Sequence, residues 1–434
     1  MAGPTETRGM ARPAEATRTT PGPSPAAVAL AGLTALAVAV GIGRFAFTPI
    51  LPLMQQDAGL SVAQGGWLAS ANYFGYLVGA LSAMGLRIRP ATATRVGLVL
   101  IGLATLGMGL EHRFATWVAL RWLAGVGSAW VLVFASAWCL ERLAPARRAL
   151  LNGAVFAGVG TGIAVAGGAC LVLMQAGASS ARAWTSLGVL SLAGTAVIWR
   201  AFGADADAGV SEGRPATARG LSLDADSLRL VLCYGASGFG YIVPATFLPV
   251  MARQVVSDPS VFGWSWPVFG AAAAVSPLAA ALWGRLFGNR RLWMLAHLVM
   301  ALGVALPVAW PAIGGIMVAA LLVGGTFMVI TLAGMQEARA VAGPRATGLM
   351  ATMTSAFALG QIIGPVSVSY LVGAGADFSR PLLVACLLLV ASAAVLWISI
   401  PGAPPACSGG GTRASRRSPR SDAPAASSAR SPAG

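Results

Sequence analysis

Arg44 and Arg121 stand inside apolar stretches that contain no aspartate or glutamate. An arginine keeps its charge at any ordinary pH and presents five N–H donors in a planar fork. Without an internal acid it has two outlets. It can bind an anion, bidentately where the geometry permits, or it can hydrogen-bond helix carbonyls and pack its neighbours. The stretch around Arg44, "VGIGRFAFTPILPLM" from Val40 to Met54, places Gly41 and Gly43 before the charge and Pro49 and Pro52 after it. The glycines allow close helix approach, and the prolines are expected to kink the segment.

The elements that must hold these arginines are membrane spans. The chain has 434 residues, 56% of them hydrophobic and only 10% charged. Soluble domains carry about 25% charged residues, and about 20 apolar residues cross a bilayer core. Apolar runs separated by charged or Pro/Gly-rich breaks predict twelve helices, near 26–54, 62–85, 96–111, 115–140, 150–176, 182–202, 227–252, 260–284, 292–309, 312–338, 346–374 and 379–400. The fold class is therefore an all-α membrane protein. Its expected organisation is a disordered tail over 1–24, a six-helix bundle over 25–203, a polar loop over 204–226, a second six-helix bundle over 227–401 and a disordered basic tail over 402–434. The first apolar run extends past the length of a signal peptide with no small-residue cleavage site, so it reads as a retained span.

The formal charge of +15 comes from 29 basic residues, all arginine, against 14 acids. Most fall in short loops between spans, which argues against a nucleic-acid partner. Cytoplasmic loops collect positive charge. With the amino terminus inside, the outer side holds Arg113, Arg182, Arg253 and Arg380, Arg44 and Arg121 lie within spans, and every other arginine is cytoplasmic. Both termini are then cytoplasmic. The basic carboxy-terminal tail could also meet anionic headgroups. The five cysteines show neither metal-ligand spacing nor a paired framework; no metal and no cofactor is expected. His112 and His297 are far apart in sequence and supply no catalytic cluster, so no enzyme activity is expected.

The two halves are related. A shift of 197 positions matches Gly41 with Gly238, Gly43 with Gly240, Leu51 with Leu248, Pro52 with Pro249, Met54 with Met251, Gly66 with Gly263 and Trp67 with Trp264. Such repeats mark transporter folds whose substrate site lies near the midplane between halves.

The segments "RWLAGVGSA" (Arg121 to Ala129), "WGRLFGNRR" (Trp283 to Arg291) and "GQIIGPVSVSYL" (Gly360 to Leu371) resemble motifs of the major facilitator superfamily. They include Gly125, Gly360, Gly364 and Pro365 as packing or hinge positions. The loop "GLRIRPATATR" has the superfamily's arginines and lacks its usual aspartate. "GIGRFAFTPILP" followed by "GGWLASANYFGYLVGAL" is similar to the YbfB/YjiJ group of bacterial major facilitator proteins. The resemblance implies a secondary active transporter of a small molecule, in a bacterial inner membrane, working by alternating access around a cavity lined by spans 1, 4, 7 and 10. It leaves the coupling ion open, with a proton as one candidate, and is compatible with a functional monomer.

Arg44, Arg121, Asn72, Tyr73, Tyr76, Tyr241 and Gln361 are the substrate-binding candidates, and the repeat aligns Tyr241 with Arg44. Two arginines without an acid favour an organic anion; export of a neutral or amphipathic compound is the alternative, and a membrane-embedded sensor or scaffold a more remote one. Trp264 and Trp266 are further candidates for shaping the pocket, with anchoring in the interfacial belt as the preferred reading. Glu141 and Glu337 hold equivalent positions at the ends of spans 4 and 10. Pairing with loop arginines would make them gating residues, together with Arg87, Arg89, Arg147, Arg290 and Arg291; plain surface pairing is the competing reading. The glycine-rich "AGVGTGIAVAGG" of span 5 predicts tight helix packing.

Overall fold

The structure is a computed structural model that describes residues 23–86, 88–145, 149–203, 224–256, 264–371 and 378–399. Arg87, Arg147, the side chains of Pro52 and Pro365, nearly all of the amino-terminal tail, the carboxy-terminal tail and residues 204–223 lie outside that description.

Helix starts follow the local sequence. Ser24 caps the helix Pro25–Leu36, which has proline at its first position. Ser61 and Gln64 form a reciprocal capping box before Val62–Gly85, and Ser179 and Asp224 cap Ser180–Ile198 and Ala225–Val255. Each satisfies amide donors that have no partner within the helix.

Among the described residues, ten stretches are long and apolar enough to cross a membrane. One of them, Ile313–Gly364, folds at Gly343–Arg345 into two helices, Ile313–Ala342 and Ala346–Leu371. Gly343 makes that turn at φ 52°, a conformation that side chains with a Cβ resist. The expected second span is the helix Val62–Gly85, which falls outside those ten. The remaining spans are Pro90–Leu110 (span 3), Phe114–Leu143 (span 4), Ala149–Gln175 (span 5), Ser180–Ile198 (span 6), Ala225–Val255 (span 7), Ser265–Phe287 (span 8), Asn289–Ala309 (span 9), Ile313–Ala342 (span 10), Ala346–Leu371 (span 11) and Ser379–Ile398 (span 12). Leu232, Leu302, Leu387 and Val197 are exposed on outer faces. In water such a surface would drive association; in a bilayer it meets acyl chains.

Span 1 departs from the expected single kinked helix. Pro25–Leu36 passes into a π-helical segment, Ala37–Ile42, then into turns over residues 43–46, and resumes as Phe47–Asp57. The break therefore precedes Pro49 and Pro52 instead of sitting at them. Pro49 is the third residue of the new helix, where its missing N–H leaves no bond unmade. Gly41 permits the break by contact: a Cβ there would lie 2.5 Å from the Gly162 Cα in span 5.

Glycine also sets the other close crossings. A Cβ on Gly160 would lie 2.1 Å from the Ala274 amide nitrogen, and one on Gly153 would lie 2.6 Å from the Pro277 carbonyl oxygen, so spans 5 and 8 meet backbone to backbone. Gly238 and Gly360 bring spans 7 and 11 together in the same way, and Gly364 packs on Ile242. The expected packing role of the span-5 glycines is seen in these contacts.

Candidate functional site

The broken segment of span 1 leaves main-chain carbonyls without helical partners, and span 4 supplies them. Arg121 donates from Nη1 to the Gly43 carbonyl at 3.0 Å and from Nη2 to the Arg44 carbonyl at 3.1 Å. Its guanidinium also lies 4.9 Å from the Phe47 ring. One turn pair further along, the Ser128 hydroxyl donates to the Ala39 carbonyl at 2.6 Å. Asn72 of span 2 donates to the Arg121 carbonyl at 2.9 Å. That approach needs Gly125, whose Cβ would collide with the Asn72 carbonyl at 2.2 Å. The motif residues Arg121, Gly125 and Ser128 thus hold the break in shape.

Arg44, whose own carbonyl Arg121 grips, points its side chain the other way. It is buried at 5% exposure, with Cζ 4.0 Å from the Tyr76 ring centroid and 5.6 Å from those of Tyr73 and Phe45. Its Nη2 donates to Gln361 Oε1 at 2.7 Å, and Gln361 Nε2 donates to the Tyr241 hydroxyl at 2.5 Å. Its Nε–H has no hydrogen-bond partner among the described residues. Among the described residues no carboxylate enters this shell, and the ion pairs lie elsewhere. A buried charge at mid-span costs about 2.5–3.5 kcal/mol on insertion scales. A desolvated cation–π contact returns about 2 kcal/mol, and a hydrogen bond to a charged group about 1.5–3 kcal/mol. Contacts with neutral partners are thus of the size needed to offset that cost.

Arg44, Tyr76 and Tyr241 border a cavity of about 20 Å³. Its wall draws on spans 1, 2, 4 and 5 (Val40, Phe45, Leu132, Val159) and on spans 7, 10 and 11 (Tyr234, Phe327, Thr331, Phe357). Tyr241 lies between two nearly parallel rings, Phe327 at 5.1 Å and Phe357 at 5.4 Å. Gln361 stands behind Arg44, while Arg121, Asn72 and Tyr73 are outside the cavity wall. Tyr234, Phe327 and Phe357 were not anticipated. Tyr234 and Tyr241 are seven residues apart, two helical turns on one face, and that spacing was the available signal.

Residues 36–397 match the family described as uncharacterised MFS-type transporter YbfB. The chain belongs to this family of major facilitator transporters. No curated protein matches the chain. For this YbfB-family member, membrane transport is the general activity, and the all-helical membrane fold expected from the sequence is the one observed.

The two tryptophans proposed for the interfacial belt separate. Trp264 is exposed; Trp266 is buried and stacks on Phe269 at 5.2 Å. The correction has a simple cause: position 266 faces span 1, where Phe45 lies 5.9 Å away. His297 is also fully buried, with Nδ1 3.1 Å from the Trp293 carbonyl and Nε2 3.4 Å from the Ser392 hydroxyl.

Among the described gating candidates, Arg290 and Glu337 come together. Arg290 donates from Nε to Glu337 at 2.5 Å, from Nη1 to Asp226 at 2.9 Å and to the Ser399 carbonyl at 2.7 Å, and its Nη2 also bonds Asp226. These groups tie together the ends of spans 7, 9, 10 and 12. Glu337 therefore pairs with an arginine at the start of span 9 instead of with the Arg339 and Arg345 that flank it. Glu141, Arg89 and Arg291 are exposed. The sequence equivalence of Glu141 and Glu337 does not extend to their surroundings.

Proposed function

We propose that the protein is a secondary active transporter that carries a small organic anion by alternating access, with Arg44 as the group that meets the anion. The supporting observation is the Arg44 shell itself: a permanent cation, buried beside a cavity, held by an amide oxygen and ring faces with no acid. A carboxylate is the better acceptor, since charge-assisted bonds are roughly twice as strong as neutral ones. It would take the place of the Gln361 oxygen on Nη2 and also engage the unpartnered Nε–H. Because Gln361 belongs to span 11 and Arg44 to span 1, that exchange would release a bond between the halves as the anion arrives. A cavity with room for about one water corresponds to the closed stage of such a cycle.

The halves in this reading are bundles 25–203 and 227–401, joined by the loop 204–226, with both termini cytoplasmic in a bacterial inner membrane. The Arg290, Glu337 and Asp226 cluster then lies on the cytoplasmic side and stiffens the carboxy-terminal bundle. Arg121 is read as a positioning residue for Arg44. Uptake of labelled carboxylates into proteoliposomes tests the proposal. Wild type should accumulate the label and Arg44→Ala should not, with monodisperse elution checking that the variant folds. Equal uptake by both would refute the role of Arg44, and wild-type transport of neutral compounds alone would favour an amphipathic exporter.

A further inference from the structure

Resting on that reading, we infer that the transported anion is a monoanion with a flat aromatic body, of the arylcarboxylate class. Three features carry this. First, among the described residues the cavity wall contains one charged group, Arg44; the neighbouring guanidinium, on Arg121, is committed to the Gly43 and Arg44 carbonyls and lies off the wall. A single cation with no second one beside it matches one negative charge and leaves the second charge of a dicarboxylate unpaired in an apolar site. Among the described residues no acid borders the cavity, so the ammonium group of an amino acid would find no partner.

Second, rings make up much of the uncharged wall. Phe45, Tyr76, Tyr234, Tyr241, Phe327 and Phe357 border the space beside aliphatic side chains and Met328, and among the described residues Thr331 is the only further polar group there. A sugar needs many hydrogen-bonding partners and would leave its hydroxyls unsatisfied here. An aromatic guest instead offers edges and faces to the surrounding quadrupoles. Third, the rings are already arranged for it. Tyr241 stacks nearly parallel between Phe327 and Phe357, with interplanar angles of 9° and 12°, and its hydroxyl accepts from Gln361, the residue that also bonds Arg44. The recognised chemistry is thus a carboxylate at Arg44 with its ring against the aromatic wall.

The test is thermal stabilisation of the purified full-length protein, because a ligand that binds the folded state raises its stability by mass action. Benzoate and phenylacetate should raise the unfolding temperature in a saturable way. Cyclohexanecarboxylate, similar in size and charge without the flat ring, should bind about tenfold more weakly; succinate and benzamide should give no shift. Arg44→Gln should abolish the benzoate shift. Since that variant could fail to fold, Gln361→Glu provides a second arm: it places an internal acid on Arg44, should leave the fold at least as stable, and should also abolish the shift.

If succinate or acetate stabilises through Arg44 while benzoate does not, the anion carrier stands and the aromatic assignment is overturned. If benzamide matches benzoate and neither variant changes the response, anion recognition itself is overturned. If no aromatic acid shifts the wild type, the inference fails.

Discussion

Arg44 and Tyr241 occupy equivalent positions in the two sequence repeats, and one side chain, Gln361, bonds to both. Their backbones are unlike: span 7 stays α-helical through Tyr241, whereas span 1 passes from a π-helix into turns around Arg44. The Arg44 donors require the amide oxygen, which leaves Nε2 to donate to Tyr241 and frees the phenol proton to donate elsewhere. Removing the phenol oxygen should strand a buried amide. Tyr241→Phe is expected to destabilise by about 1–3 kcal/mol, read as a lower midpoint in denaturant unfolding, with the Phe327 and Phe357 stack retained.

Arg121 holds two carbonyls that the break in span 1 releases. Arg121→Met should therefore lower stability by about 2–5 kcal/mol, from two unsatisfied buried acceptors. Arg121→Lys, with one point charge in place of the fork, should fall between. If Arg121→Met unfolded like wild type, Arg121 would not be what maintains the break.

Within the glycine run of span 5, position decides tolerance. A methyl at Gly162 would meet the Ala37 carbonyl at 2.3 Å, whereas one at Gly168 meets nothing within 4 Å. Gly162→Ala should cost about 1–3 kcal/mol by overpacking, and Gly168→Ala should be neutral or slightly stabilising. Thermal unfolding of the two variants side by side checks this.

Arg290 joins two acids and one carbonyl with its side chain 9% exposed. Arg290→Ala should destabilise by about 3–5 kcal/mol, as expected when a mostly buried pair loses one partner. Arg291→Ala, at an exposed neighbour, should stay within about 0.5 kcal/mol of wild type. Equal effects of the two would mean that the cluster contributes no more than a surface pair.

Asp224 caps span 7, and its hydrogen bonds from Ser227 hold its carboxyl below the usual carboxylate range. A depressed value means that the folded state favours the charged form. The contribution is then fully present above the ordinary aspartate pKa and is lost as pH falls through the lower folded value. Unfolding temperatures of wild type and Asp224→Ala should differ by a constant amount at neutral pH and converge in strong acid. A gap that persisted in acid would refute the charged cap.

Much of the site could be read from residue types. A charged side chain in an apolar run stands out, so Arg44 and Arg121 were legible, and the 197-residue shift singled out Tyr241. The aromatic wall was not. Phe327 and Phe357 sit in runs where lipid-facing and core-facing residues are equally apolar, so the periodicity that marks a buried face in water is missing. The break at Ala37–Ala46 was misplaced for a related reason: proline is a visible breaker, whereas this break depends on carbonyls satisfied by a helix some 80 residues away, as the 77- and 78-residue separations of the Arg121 bonds show.

The seam between spans 5 and 8 has a mechanical corollary. At Gly153, Gly160 and Gly270 the spacing is set by main-chain atoms of the facing helix, 2.6, 2.1 and 2.7 Å from where a Cβ would stand. Such a joint is tight in separation because main chain sets the spacing. Any bulkier residue placed there would act as a wedge that forces the two helices apart.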